Sequence, residues 1–153
     1  MDGQPPAQGI SQDEANAIFS RYFAPWVQEL DLVFEHVGRD ETRIRMPLKK
    51  AYYRHGGLIA GQTLLALADT VMVFTVFGAV GRFQNMATIN QSTNFMKPIS
   101  NADVIATGRV LRLGKTMAFG EILLAAEGGS PAVQVQSTCA LLEEPKDGKG
   151  TPS

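Results

Sequence analysis

The stretch GGLIAGQTLLALADT, from Gly56 to Thr70, begins the longest apolar run in the chain. Asp69 is the one ionisable residue between Gly56 and Gly81. Roughly 20 apolar residues are enough to cross a bilayer. However, an aspartate at the centre of such a span costs on the order of 2.5 to 3.5 kcal/mol. The remaining sequence also needs an apolar partner to pack against. The run therefore predicts a helix in the core of a protein, surrounded by sheet.

The sequence on both sides of this run supplies that sheet. Before it, Ser11 is a predicted N-cap of a short amphipathic helix, and LDLVFEHV and TRIRMPL are predicted strands around the turn GRDE. After Gly81 the apolar residues recur with a period of two, which predicts four more strands. They are NMATINQSTNFMKP, ADVIATGRVLRL, TMAFGEILLAA and PAVQVQSTCALL, the middle two joined by a tight connection at Gly114-Lys115. This order predicts an α+β fold in which an antiparallel sheet packs on one long helix.

The composition restricts the classes of function. The 153 residues carry a formal net charge of −1, which gives no electrostatic reason to expect a nucleic acid or a membrane surface as a partner. A single cysteine, Cys139, lies in an apolar alternation and is predicted to be a core residue in a reducing, cytoplasmic compartment. Pro, Gly and polar residues at both ends predict a disordered lead over residues 1–10 and a disordered tail over 143–153, with one domain over 11–142.

Asp69 allows two interpretations. It can be a structural, buried acid that is paired with Arg54 or Arg82, because buried acids are rare unless paired. It can also be functional, because Gly61 precedes it by eight residues and lies near the predicted helix start, where free N–H groups bind anions. Such donors can stabilise the oxyanion of a thioester under attack by roughly 3 to 4 kcal/mol. A carboxylate can activate water or attack directly. The two residues are therefore complementary parts of an acyl-transfer site, and they can come from different copies of the helix.

Three segments, the helix GGLIAGQTLLALADT, the strand ATINQSTNFMKP and the hairpin LRLGKTMAFGEILL, resemble the hotdog-fold acyl-CoA thioesterases of the phenylacetate-degradation type. The resemblance covers about residues 30–142. It implies a curved antiparallel sheet wrapped around a long helix, active sites between two subunits, and a dimer or a tetramer made of two dimers.

The resemblance also assigns roles to residues. Asp69 matches the acid that acts as general base or nucleophile, and Gly61 matches the glycine of the oxyanion hole. Thr88 matches a hydroxyl residue that helps to hold the water, and the alternation predicts that it shares a polar strand face with Asn90, Ser92 and Asn94. The family often has a His immediately before this glycine and an Asn further upstream, and the chain has Ala60 and Arg54 there.

These departures leave alternatives. One is a protein that binds acyl thioesters without turnover. The other, a hotdog dehydratase acting on hydroxyacyl thioesters, would need a His on the helix or its facing strand, and the sequence has none there.

The expected substrate is an acyl-CoA, so coenzyme A enters as part of the substrate and no separate cofactor is expected. Two dispersed histidines and one cysteine predict no metal site. Cations hold phosphates in proteins, and aromatic and Met side chains such as Phe74, Phe77, Met72 and Tyr52 can line an acyl tunnel or simply pack in the core. The residues predicted to bind substrate are Arg54, His55, Gln62, Asn90, Lys97, Arg112 and Lys115.

Overall fold

The computed structural model describes residues 9–144 and has the predicted order of helix, two strands, long helix and four strands. The helices are α1 (Gln12–Tyr22), α2 (Pro25–Gln28) and α3 (Gly61–Val80), and a 3₁₀ turn lies at Lys50–Tyr52. The strands are β1 (Val33–Val37), β2 (Thr42–Met46), β3 (Met86–Phe95), β4 (Val104–Leu113), β5 (Met117–Ala126) and β6 (Val133–Leu141). Helix α2 and the 3₁₀ turn were not predicted.

The amino-terminal boundary is slightly different from the prediction. Ser11 does cap α1, because its Oγ accepts a hydrogen bond of 3.1 Å from the N–H of Glu14. Ile10 belongs to the predicted disordered lead, but it is buried and forms an antiparallel bridge with Val37. The folded domain therefore begins before Ser11. Residues 1–8 of the predicted lead and 145–153 of the predicted tail lie outside the described residues.

All six strands form one antiparallel sheet in the order β1-β2-β4-β5-β6-β3. Strand β3 follows α3 in the chain but pairs with β6, so it lies at one edge of the sheet. Its ten residues present an unpaired row of backbone N–H and C=O groups at that edge. The other edge strand, β1, is bridged by Ile10 at Val37.

Helix α3 packs along the concave side of this sheet, which confirms the predicted hotdog architecture. It begins at Gly61. The preceding segment, Gly56–Ala60, is not helical and contains a turn and Ile59, which forms an isolated β-bridge with Tyr53. It ends at Gly81, whose φ of 84° is the left-handed conformation that glycine adopts readily. By length and composition α3 could also cross a bilayer, but contact with the sheet accounts for its apolar side chains.

Small residues allow the close packing of α3. A Cβ on Gly78 would collide with the carbonyl oxygen of Gly38 in the β1–β2 turn, so glycine is required at this contact. The buried threonines of α3 need no external partner, because Thr70 donates to Ala66 O at 2.9 Å and Thr75 to Val71 O at 2.6 Å. Cys139 is fully buried on β6, as predicted. Phe74, Phe77 and Met72 are core residues.

Candidate active site

Asp69 lies on a stripe of α3 that the sheet leaves uncovered. Its neighbours on this stripe are Gln62, Ala66 and Val73, at helical spacing, and all are partly or fully exposed in the single chain. The carboxylate is exposed in the single chain, so the interpretation as an acid buried within that chain was wrong. No salt bridge joins Asp69 to an arginine within residues 9–144. The Thr88 hydroxyl donates to Asp69 Oδ1 at 2.8 Å.

A bulge in β3 separates Thr88 from the polar residues with which it was grouped. Thr88 is opposite Cys139 and therefore faces α3, whereas Asn90 is opposite Thr138 on the outer face of the sheet. The register shifts between these two positions, so simple alternation fails there. The predicted common face was therefore wrong, and the structure does not bring Asn90, Ser92 or Asn94 to Asp69.

The start of α3 offers unpaired backbone donors. Within the described chain, the N–H groups of Gly61 and Gln62 have no hydrogen-bond acceptor, while those of Thr63 and Leu64 both donate to Ala60 O. A Cβ placed on Gly61 would lie 3.5 Å from Phe95 Cζ, an ordinary van der Waals contact. Glycine is therefore not required here by the fold of the single chain. Its absent side chain leaves the donors accessible.

A cavity of about 460 Å³ lies against this end of α3, and it contains two of the predicted substrate-binding cations. Its walls include Gly61, Leu64, Phe95, Arg54 and Lys97. Lys97 Nζ contacts the hydroxyl of Ser130, which holds the ammonium group at the end of β3. Arg54 is exposed and makes a backbone turn with Leu58. Gly61, Arg54 and Lys97 are thus brought together as a donor site bordered by positive charge.

The remaining predicted residues are dispersed. His55 lies in the exposed turn before α3 and does not line this cavity. Arg112 is opposite Phe119 on the outer face of the sheet. Lys115 lines a separate cavity of about 340 Å³ beside Arg82. Among residues 9–144 there is no group of three or more His, Cys, Asp or Glu side chains that could hold a metal ion.

Gly61 and Asp69 lie at different places along α3. Eight residues of helix separate them along the axis by about 12 Å, at 1.5 Å per residue. Asp69 is close to Thr88, at one end of β3, and Gly61 is close to Phe95, at the other. The single chain therefore carries two separated half-sites along its exposed edge strand.

Two features of this region were missed by sequence reasoning. The side chain of Gln91 donates to Leu65 O at 3.2 Å, which fixes β3 against the helical turn before Asp69. A second cavity of about 460 Å³, lined in part by Trp26 and Tyr52, lies on the side of Gln62 and Thr63. Both depend on contacts between segments distant in sequence. No local pattern in the chain indicates them, although the one tryptophan of the chain could have been noted as a candidate.

The family model of the thioesterase superfamily matches residues 55–132, just over half of the chain and including Gly61, Asp69 and Thr88. The chain belongs to the thioesterase superfamily. This membership confirms the resemblance of the helix, strand and hairpin motifs, and it makes the protein a thioester hydrolase.

Solved structures share this fold. A protein of Silicibacter sp. TM1040, provisionally named a thioesterase, is 27% identical with a TM-score of 0.79, over 92% of this chain and 97% of that one. The PaaI protein of the Escherichia coli phenylacetic acid degradation operon shares the fold at 14% identity and a TM-score of 0.75, over 86% and 92% of the two chains. A protein of Streptococcus pneumoniae TIGR4, described as a hypothetical thioesterase and solved with coenzyme A, shares the fold at 15% identity and a TM-score of 0.67, over 72% of this chain and 85% of that one.

Proposed function

We propose that the protein hydrolyses acyl-CoA thioesters in a site shared by two subunits, with Asp69 of one subunit and the Gly61 N–H of the other. The observation that carries this proposal is the arrangement of the two half-sites. Among residues 9–144, a carboxylate without a cationic partner is held by Thr88 near the start of β3, and N–H donors without an acceptor lie near its end. Each half-site lacks what the other supplies.

The exposed edge of β3 provides a way to join the half-sites. If two β3 strands pair antiparallel about a two-fold axis near the middle of the strand, the Thr88 end of one lies beside the Phe95 end of the other. Asp69 is then brought towards Gly61 of a partner subunit. The same pairing would satisfy the backbone groups of the edge and cover the stripe of α3 that carries Ala66 and Val73.

The chemistry follows from these positions. The thioester carbonyl oxygen accepts hydrogen bonds from the N–H groups of Gly61 and Gln62, which stabilise the negative charge that develops on it. Asp69 takes a proton from a water molecule that Thr88 helps to orient, and the water oxygen bonds to the carbonyl carbon. The tetrahedral intermediate collapses, the carbon–sulfur bond breaks, and the proton passes from Asp69 to the departing CoA sulfur. The products are the free acid and CoA with its thiol.

Coenzyme A fits the charges at the Gly61 half-site. Arg54 and Lys97 border the cavity beside Gly61, and such cations attract phosphate oxygens. The Streptococcus pneumoniae protein, which shares the fold, was solved with coenzyme A, and this supports the same class of ligand here. No histidine lies on α3 or β3, so the pairing of His with an acid that a dehydratase needs has no counterpart at this position.

Steady-state release of CoA from acetyl-, hexanoyl-, dodecanoyl- and phenylacetyl-CoA tests the proposal. The variant Asp69→Asn keeps the size of the side chain and loses the base, so we expect its kcat to fall by at least about a hundredfold. Asp40→Asn, in the exposed β1–β2 turn, is the matched control and should keep wild-type turnover. Circular dichroism and size-exclusion chromatography should show that both variants are folded and assembled as the wild type is.

Two results would contradict this function. If Asp69→Asn hydrolyses its substrates as fast as the wild type, Asp69 has a structural role. If the wild type binds acyl-CoA but releases no CoA from any member of the panel, the protein binds acyl thioesters without turnover.

A further inference from the structure

The cavity beside Trp26 differs from the cavity beside Arg54 and Lys97 in its aromatic walls and in its charges. Its walls include an indole, a phenol ring and aliphatic side chains, and its volume of about 460 Å³ lies within the range of small-molecule pockets. We call it the Trp26 cavity, and its lining includes Trp26, Leu30, Ala51, Tyr52, Gln62 and Thr63.

The position of the Trp26 cavity relates it to the proposed reaction. Gln62 and Thr63 belong to the first turn of α3 and directly follow Gly61. Two cavities therefore flank the same N–H groups. Both have apolar walls, and the cavity with Arg54 and Lys97 differs in that its two cations form no salt bridge within residues 9–144. A thioester whose carbonyl oxygen is held at these N–H groups has an acyl arm and a CoA arm that leave the carbonyl carbon in different directions. The CoA arm, with its phosphates, matches the cavity with Arg54 and Lys97, which leaves the Trp26 cavity for the acyl arm.

Among the residues that the structure describes, the one cation in the wall of the Trp26 cavity already has partners. Lys49 forms a salt bridge with Asp31, and its Nζ donates to Glu29 O at 2.7 Å. The hydroxyl of Tyr52 donates to the same carbonyl oxygen at 3.2 Å, so its polar tip is also occupied. The Glu29 side chain lines the rim and adds a negative charge. A charged acyl group would therefore lose water there without gaining a partner.

We propose that the Trp26 cavity binds the acyl group and that Trp26 is the specificity-determining residue. It selects bulky, uncharged, apolar acyl groups over the acetyl group and over acyl groups that carry a free carboxylate. This inference rests on the proposed function, because it assigns the acyl arm of the substrate of that site. Trp26 is 61% exposed in the single chain, and a bulky acyl group lying against the indole would cover much of that surface.

Substrate selectivity of Trp26→Ala tests the inference. We expect kcat/KM for hexanoyl- and phenylacetyl-CoA to fall at least about tenfold, mainly through KM, because the lost contact is equally present in the ground state and the transition state. Acetyl-CoA, which is too short to reach the indole, should change by less than about twofold. Trp26→Phe should restore most of the selectivity. Leu111→Ala is the control, since Leu111 is exposed to the same degree, 62%, on the other side of the sheet.

Fluorescence separates a failure of this inference from a failure of the proposed function, because Trp26 is the one tryptophan of the chain. In Asp69→Asn, hexanoyl-CoA should change the emission in a saturable way, and CoA alone should not. If the wild type turns over acyl-CoA but Trp26→Ala affects all substrates equally or none, the inference is wrong and the hydrolase stands. If no substrate turns over but hexanoyl-CoA still changes the emission, the cavity binds acyl groups and the hydrolase is wrong. Preferred hydrolysis of succinyl-CoA would also overturn the inference.

Discussion

Gly61 is the residue at which the requirements of folding and of chemistry can be separated. A methyl group added there would make an ordinary contact with Phe95 and would replace glycine in the first turn of a helix, where alanine is favoured. The same methyl group would stand beside the N–H groups that the proposed oxyanion approaches. We therefore expect Gly61→Ala to keep or slightly raise the melting temperature and to lower kcat/KM by at least about tenfold, because the methyl group hinders the approach of the carbonyl oxygen to donors that stabilise its charge.

Thermal unfolding and acyl-CoA kinetics on the same preparation check this expectation. Gly114→Ala, in the β4–β5 hairpin and away from both half-sites, serves as a glycine control for the kinetics. A large drop in melting temperature for Gly61→Ala would mean that glycine is needed for the assembled fold. Unchanged kinetics would remove Gly61 from the proposed mechanism.

Individual residues also show which features of the candidate site could be predicted from the sequence and which could not. The lone carboxylate and the glycine two turns earlier were visible as a candidate pair, because their spacing and the polarity of the run are local properties. The partner of Asp69 in the structure is Thr88, which was named by resemblance, but its strand face was predicted wrongly because a bulge does not show in a two-residue alternation. The exposure of Asp69 was missed because the helix pattern alone does not show which stripe the sheet leaves uncovered.

At the scale of helices and strands, the order and type of the long segments were predictable. Each long segment carries a strong hydrophobic period, and the capping serine of α1 is a direct chemical signal. Helix α2 and the 3₁₀ turn have too few residues to show a period. The position of β3 beyond β6 could not be derived from periodicity, because strand order depends on which edges remain free after the other strands have paired.

Arg45 links several of these segments, and its ion pairs make the stability of the fold depend on pH. Its guanidinium group donates to Glu35 at 2.7 Å and to Asp103 and Glu127 at 2.9 Å each. The Leu48 N–H and Arg45 hold the pKa of Asp103 below its usual range. Hydrogen bonds from Arg43 and Arg45 lower the pKa of Glu35, although partial burial acts against them.

Because these carboxyl groups bind protons less readily in the folded state, the unfolded state takes up more protons on acidification. The stabilisation is present above the unfolded pKa values of about 4 and is lost as the pH falls through the lower folded values. We expect Arg45→Met to be less stable at pH 7 and to lose less stability than the wild type between pH 7 and about pH 3. Urea unfolding at both pH values measures this, with Arg39→Met in the β1–β2 turn as the control. Parallel losses in Arg45→Met and wild type would show that Arg45 does not set these pKa values.

For the whole molecule, the resemblance supplied more than the periodicity did. An α+β sheet on a helix follows from the hydrophobic pattern, but the hotdog architecture and the thioester chemistry came from motifs that the family match confirms. The residues alone did not decide whether one subunit or two subunits form each active site. The resemblance implied that two subunits form it. The structure adds an observation that favours it, because Gly61 and Asp69 lie beside opposite ends of the edge strand β3.

A mixed dimer tests this division directly. Asp69→Asn and Gly61→Ala subunits, carrying different affinity tags, are produced together, and dimers with both tags are isolated. If each site combines Asp69 of one subunit with Gly61 of the other, one of the two sites in the mixed dimer has both residues intact and the other has neither. We therefore expect about half of the wild-type activity per dimer, although each parent homodimer is strongly impaired. If the site lay within one chain, neither subunit would have both residues, and the mixed dimer would be as inactive as its parents. A doubly tagged dimer in which both subunits carry Asp69→Asn must stay inactive, which excludes a gain from the tags or from subunit exchange.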